Sequence, residues 1–350
     1  MTADQLPAFG PAAPPAGRRL RTRIVARPSL PALGVLAVVL VFFGVRSPEL
    51  FSARGAASVL DVAAVMGIGG VAVAMLLIAG QFDFSIGAVG VGSALVTALL
   101  VGHAGWGIWP ALAVSLGCAV GVGLVNGLLV VSTGMPSFLA TLATYLVLEG
   151  VTLAGSQAVT GSPRIDGLEG GPGWPLASTV FDSTLRLGDG AFHISVLWWL
   201  AGTAVAVWVL WRTRFGNAVL ASGGARRAAR ELGVAVRRTT VTLFCLTAAA
   251  GWLIGTLGLL HTGGLEVNPG LTQEVEFVVV AVIGGSLLSG GYGSPIGAAI
   301  AALLYAVARE GIVLAGWDVR WFQALLGVLL LVALLANGVV RRRLKAVPRS

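Results

Sequence analysis

Residues 57–79 have the sequence ASVLDVAAVMGIGGVAVAMLLIA, an apolar run in which Asp61 is the only charged side chain. A helix needs about 20 apolar residues to cross the roughly 30 Å hydrocarbon core of a bilayer. Backbone polar groups inside a bilayer must pair with one another, so a run of this kind is expected to be helical. The stretch therefore predicts a membrane-spanning helix.

Nine further apolar runs occur along the chain, and they set the expected architecture. They are continuous, whereas the strands of a membrane barrel are short and alternate in polarity. We therefore predict an all-α polytopic membrane protein with about ten transmembrane helices. The glycine-rich regions 80–94 and 284–297 are candidates for broken helices. The nine runs fall at about residues 30–45, 85–102, 107–132, 136–155, 194–212, 239–262, 275–290, 295–314 and 320–340.

The composition excludes a water-soluble protein with one core. Hydrophobic residues make up 56% of the 350 residues, charged residues only 11%, and the mean hydropathy is +0.90. Soluble domains carry about 25% charged residues. The net charge of +8 lies at the edges of the apolar runs, so we expect contact with membrane lipid and no nucleic-acid partner. Cys118 and Cys245 lie within apolar runs and are expected to pack rather than to form a disulfide.

The basic residues predict the orientation, because arginine and lysine accumulate on cytoplasmic loops. With the N-terminus inside, 17 of the 23 basic residues lie in the cytoplasm, and an even number of crossings keeps both termini there. The expected organisation comprises a disordered basic cytoplasmic tail (1–28), a transmembrane domain (29–340) with a long exterior loop (156–193) and a cytoplasmic loop (213–238), and a basic cytoplasmic tail (341–350).

The chain lacks the motifs of the common catalytic and nucleotide-binding sites. No GxxxxGK[ST] phosphate loop occurs, and Lys345, the only lysine, lies in the C-terminal tail. HExxH, CxxC and GxSxG are also absent from the sequence. The three histidines, His103, His193 and His261, are far apart, so we expect no metal site. We expect no enzymatic activity and no cofactor in this chain, so energy for any transport must come from a partner or an ion gradient.

The cytoplasmic loop has the sequence TRFGNAVLASGGARRAARELGVAVRR. After Gly223 and Gly224 it predicts a short helix over 225–232, with Gly233 as its C-terminal cap. Arginines at a helix N-terminus oppose the helix dipole, which indicates compensation from outside the helix. Two interpretations stand: anchoring at lipid head groups, or docking into a cytosolic protein. The charged residues of this helix are Arg226, Arg227, Arg230 and Glu231.

A small set of polar residues interrupts the apolar runs. A carboxylate such as Asp83 costs about 2.5–3.5 kcal/mol at the centre of a membrane helix, so it needs a helix N-terminus, a partner or water. It either caps the helix after Ser85 or forms part of a gate or translocation path. Hydrogen bonding between helices is the usual fate of the others, and lining the path is the alternative. These candidates are Asp83, Ser85, Asn126, Thr141 and Thr144.

Two other patterns concern the ends and the packing of helices. Glu274 and Glu276 begin an apolar run, and we expect them at an exterior helix start, where acids favour the helix dipole. Glycine supplies 50 residues, and small residues four positions apart let membrane helices approach closely. Such pairs occur at Gly117/Gly121, Gly123/Gly127, Gly251/Gly255 and Gly293/Gly297.

Four segments together resemble the permeases of ribose/xylose-type ATP-binding-cassette importers, in the family's own order. The resemblance covers roughly residues 55–340 and departs from the family pattern at Gln81, Ala225 and Glu276. The matching segments are GQFDFSIG (80–87), similar to GGIDLSVG; NGLLVVSTGMPSFLATL (126–142); the loop from Phe215 to Val234; and EVEFVVVAVIGGSLLSGGYGS (274–294).

The resemblance implies a permease in the bacterial inner membrane that moves a monosaccharide or similar small sugar by alternating access. It implies a second permease copy or paralogue, an extracytoplasmic sugar-binding protein, and a cytosolic ATPase that holds ATP and magnesium. The loop 213–238 would couple to that ATPase through Gly223, Gly224, Gly233 and the charged residues between them. The alternatives are an importer of branched-chain amino acids or nucleosides, an ion-coupled transporter, which usually shows two homologous halves, and a membrane enzyme.

Overall fold

The structure, a computed structural model, describes residues 29–267 and 273–345. The predicted tail 1–28 lies outside these residues, and the predicted tail 341–350 begins inside a helix that runs to Lys345. The helices of the described residues are α1 (Ser29–Arg46), α2 (Ala53–Ile78), α3 (Ile86–Gly102), α4 (Ile108–Thr133), α5 (Ser137–Thr160), α6 (Trp174–Phe181), α7 (Ser195–Arg212), α8 (Arg214–Gly224), α9 (Arg226–Glu231), α10 (Val236–Thr262), α11 (Gln273–Ile283), α12 (Pro295–Leu314) and α13 (Trp321–Lys345).

The long loop between α5 and α7 carries most of the remaining regular structure. Strand β1 (Arg164–Ile165) pairs antiparallel with β4 (Leu265–Glu266), and β2 (Thr184–Leu187) forms a hairpin with β3 (Gly190–His193). Short 3-10 turns lie at Pro48–Phe51 and Leu168–Gly170. The predicted exterior loop 156–193 is thus a small folded layer that also contains α6.

Seven helices in the described residues are long and apolar enough to cross a membrane: α1, α2, α4, α5, α7, α10 and α12. Shorter apolar helices are α3 and the Trp321–Leu335 part of α13. The predicted all-α polytopic membrane fold is therefore confirmed.

The predicted span at 275–290 is not one continuous helix. Helix α11 has 11 residues, which at 1.5 Å per residue is about half of a bilayer crossing. It ends because Gly285 has φ +93°, a backbone conformation that favours glycine. Residues 284–294 continue as an irregular segment to the start of α12. The expectation of a broken helix in this region is correct.

Helix α2 lies at the centre of the bundle and is the most deeply buried of the seven long helices. It packs against α7, α10, α11 and α12. Several predicted glycine contacts are present: Gly123 and Gly127 face α10, while Gly251 and Gly255 lie against the backbone of α3 at Ile86 and Gly90. A side chain built at Gly117 or Gly121 would meet no atom within 4 Å, so that pair has no packing role among the described residues.

The helix ends meet at two opposite rims. At one, which we call the loop rim, the loop 161–194 contacts the ends of α3 and α10, for example through the Leu168 N–H, which donates to the Gly263 carbonyl. At the other, the basic rim, the end of α2 meets α8 and the segment 284–294. The prediction from charge is that the basic rim faces the cytoplasm.

Candidate functional site

A chain of hydrogen bonds joins three helices near the start of α3. The Ser85 N–H and Oγ both donate to Asp83 Oδ1, at 2.7 and 2.6 Å. Asn126 Nδ2 on α4 donates to Ser85 Oγ at 2.9 Å, and Thr144 Oγ1 on α5 donates to Asn126 Oδ1 at 2.6 Å. Asp83 is 1% exposed, so these partners replace the water that its carboxylate has lost.

The irregular segment before α3 is tied to α5 as well. The Phe82 N–H donates to Ser137 Oγ at 2.8 Å, and the Phe84 N–H donates to Thr141 Oγ1 at 3.0 Å. Free backbone N–H groups inside a membrane must find such partners. The five polar residues singled out in the sequence therefore lie in one neighbourhood, where capping and helix bridging account for their contacts. Their part in a translocation path stays a prediction.

Glu274 belongs to the same neighbourhood, and the sequence did not indicate this. We expected it at an exterior helix start, but it is 4% exposed and its carboxylate lies against Gly87 in the first turn of α3. The carboxylate accepts a hydrogen bond from the Ala88 backbone and is close enough to Asp83 for their charges to interact. Two acids thus lie at the N-terminus of α3, where the helix dipole favours negative charge.

We expect the hydrogen bonds of the polar chain to contribute to the stability of the fold. Asn126→Leu would leave Ser85 and Thr144 without their interhelical partner, while keeping similar volume. We expect the free energy of unfolding to fall by about 1 kcal/mol, the usual scale for interhelical hydrogen bonds in membranes. Thermal unfolding of the purified protein in detergent measures this. Ser132→Ala is the control, because Ser132 bonds only to carbonyls of its own helix; an equal loss in both variants would contradict the prediction.

The predicted short helix of the cytoplasmic loop is present as α9. Its end is a Schellman motif: the Gly233 N–H donates to the Arg230 carbonyl and the Val234 N–H to the Ala229 carbonyl, at 3.0 and 2.9 Å. Gly233 has φ +80°, as expected for the capping position. Residues 225–233 thus form a compact, self-capped unit on the basic rim.

Arg226 differs from the other charged residues of α9 in its burial. That side chain is half-buried and its Nη2 donates to Thr240 on α10 at 3.5 Å. Burial, followed by repulsion from Arg230, lowers the pKa of Arg226. Arg227, Arg230 and Glu231 are exposed, and Leu232 beside them is 84% exposed. The free surface of α9 and Leu232 therefore combines two cations, one anion and an apolar side chain.

A contact made of glycines connects this loop to the core, and we call it the glycine junction: Gly80, Gly223, Gly224, Gly290 and Gly291. The Gly291 N–H donates to the Ile78 carbonyl at 2.8 Å, and Gly223 packs directly against both groups. The Cα atoms of Gly80 and Gly223 lie about 3 Å from where a side chain at Gly290 would begin. The end of α2, the end of α8 and the segment 284–294 thus meet backbone to backbone.

We compared the sequence of the chain with known protein families. The family described as "Branched-chain amino acid transport system / permease component" matches residues 55–334, which is most of the chain. The chain belongs to this permease family. The chain is thus a transport permease subunit, and the family predicted from the four motifs is confirmed.

Individual relatives cover nearly all of this permease. The fructose import permease protein FrcC of Rhizobium meliloti is 29% identical over 93% of this chain and 89% of its own. The inner membrane ABC transporter permease protein YjfF of Escherichia coli is 28% identical (87% and 90%), and the ribose import permease protein RbsC of Bacillus subtilis is 29% identical (88% and 91%). No solved structure matches the chain. The permease is a multi-pass protein of the bacterial inner membrane.

Proposed function

We propose that this permease moves a monosaccharide or a similar small sugar inward by alternating access, driven by ATP hydrolysis on a separate chain. The observation that carries the proposal is α9, a capped and exposed basic helix fixed to the core by the glycine junction. The chain has no nucleotide-binding motif of its own, so this helix is suited to receive movement from a partner.

Because transport and ATP hydrolysis are proposed to lie on separate chains, the permease needs partners. A cytosolic ATPase binds ATP and magnesium and contacts α9 on the basic rim. A second copy of the permease, or a paralogue, completes the pathway. An extracytoplasmic binding protein delivers the sugar at the loop rim, and membrane lipid surrounds the bundle.

The route of the movement is short. Helix α8 connects α9 to Gly223, which lies against the Ile78 carbonyl at the end of α2. Residues 80–85 then lead from α2 to Asp83 and the start of α3. Displacement of α9 is thus passed to the central helix and to the polar chain through contacts that have no flexible side chains. Such contacts transmit rigid-body motion well because they cannot absorb it by rotamer changes.

The sugar is favoured over the other substrate classes. Relatives are named for import of fructose, ribose and galactose, although the family description names branched-chain amino acids. An ion-coupled carrier is disfavoured because it would need no docking helix. The acids Asp83 and Glu274 have structural partners at α3, so a role as coupling groups is not required.

Uptake into proteoliposomes tests the proposal. The permease is reconstituted with its cognate ATPase and binding protein, and labelled fructose, galactose and ribose are supplied outside. We expect uptake of at least one sugar. This uptake should require ATP on the side of the membrane where the ATPase is bound, and it should stop when the ATPase is omitted. Full uptake without an ATPase, or uptake driven by an ion gradient alone, would refute it.

A further inference from the structure

Two histidines and an aspartate converge on the loop rim, far from the polar chain and the glycine junction. Asp182 directly follows α6, His193 ends β3, and His261 lies in the last turn of α10. His261 Nδ1 is 2.9 Å from Asp182 Oδ1, and His193 Nδ1 is 3.9 Å from the same oxygen. One ligand atom from each residue lies within 4.8 Å of the others. The sequence did not predict the cluster, because His193 and His261 are distant in the chain.

We propose that Asp182, His193 and His261 bind a transition-metal ion of the zinc class. Zinc sites often use histidine nitrogen and carboxylate oxygen at about 2.0–2.2 Å, which places neighbouring ligands roughly 3.3 Å apart in a tetrahedron. The observed separations of 2.9 and 3.9 Å lie on either side of that value. The ligand atoms of the two histidines lie within 4.8 Å of each other, so side-chain rotation that brings them closer would complete the set of three.

The surroundings suit an ion as well. A cavity of about 80 Å³ adjoins the cluster and is also lined by Asp61 and Ser195. Asp61 accepts a hydrogen bond from Ser195 at 3.2 Å and lines the cavity outside the group of three ligands, where it can orient a coordinated water. Partners around the ligands of this kind commonly tune metal affinity.

A bound ion would cross-link the segments that meet at the loop rim. Asp182 follows α6, His193 ends the β2–β3 hairpin, and His261 lies in the last turn of α10. A bound ion would join the folded exterior layer to α10 of the core. The layer already packs on the core through Leu168, Trp174 and Phe181, and the ion would add a second, polar attachment.

Metal binding to the full-length, tag-free protein in detergent tests the inference, with a chromogenic chelator as competitor for zinc. We expect one zinc ion per chain and at least about tenfold weaker binding in His193→Ala and in His261→Ala. His103→Ala is the matched control: His103 is exposed at the end of α3 on the same rim, and its replacement should leave binding unchanged.

Thermal unfolding supplies a second readout that separates binding from misfolding. Zinc should raise the midpoint for the unmodified protein and for His103→Ala, because a ligand of the folded state stabilises it. It should not do so for His261→Ala or for Asp182→Asn, which keeps the side-chain size. Magnesium and calcium should not replace zinc, since nitrogen ligands disfavour them. Failure to bind zinc, or equal binding by the ligand variants, would overturn the site and leave the transport proposal untouched.

Discussion

Gly223→Ala is expected to abolish ATP-driven sugar uptake. The new methyl group would occupy the space of the Ile78 carbonyl oxygen and approach the Gly291 nitrogen to 2.5 Å. Both are backbone atoms that already bond to each other, so neither can rotate away. Overpacking of this kind costs about 1–3 kcal/mol when the structure cannot yield. Relief requires the end of α8 to separate from α2, which breaks the proposed route of movement.

Two measurements distinguish a broken glycine junction from misfolding of the whole protein. Uptake and ATP hydrolysis are measured in proteoliposomes containing the complete transporter, and thermal unfolding is measured on the purified permease. We expect a folded protein with a lower midpoint, ATP hydrolysis that no longer responds to sugar, and uptake at background. Gly121→Ala is the control, because its methyl group meets no atom within 4 Å and alanine favours the helix. Normal uptake by Gly223→Ala would exclude a tight junction.

The parts of the site with local signals could be predicted from the sequence. Helix α9 and its cap depend on residues within one short segment, and Gly233 marks the end of the helix. Asp83 was recognisable because a carboxylate in an apolar stretch needs partners. Ser85 supplies them from two positions away, again a local contact. Such features depend on chain spacing, which is fixed before the helices pack.

The parts that depend on packing could not be predicted. The glycines of residues 284–297 indicated a broken helix, but the point at which α11 ends depends on the turn at Gly285. The burial of Glu274 follows from the position of α11 beside α3, and the inward direction of Arg226 follows from the position of α10. No periodicity within either segment reports these neighbours. The glycine junction likewise needs three distant segments to meet.

Charge reversal on the exposed surface of α9 is the second change that we expect to have a large effect on transport. Changing Arg227 and Arg230 together to glutamate should abolish the stimulation of ATP hydrolysis by sugar and its binding protein. The two side chains are exposed, so the reversal should leave the free energy of unfolding of the permease within about 0.5 kcal/mol of its original value. An ATPase surface that complements two cations and the exposed Leu232 would instead meet two anions, and like charges at an interface cost several kcal/mol.

A second pair of arginines separates docking from lipid anchoring. Arg237 and Arg238 begin α10 on the same rim and are also exposed, so their change to glutamate reverses the same amount of charge. If α9 is the docking element, the α10 pair keeps most of the stimulated hydrolysis while the α9 pair loses it. If the arginines only hold the rim at anionic head groups, the two charge-reversal variants should insert into the membrane equally poorly. The stimulation of ATP hydrolysis per inserted complex should then be unchanged in both. The ratio of stimulated to basal hydrolysis, normalised to assembled complex, therefore decides between the two roles.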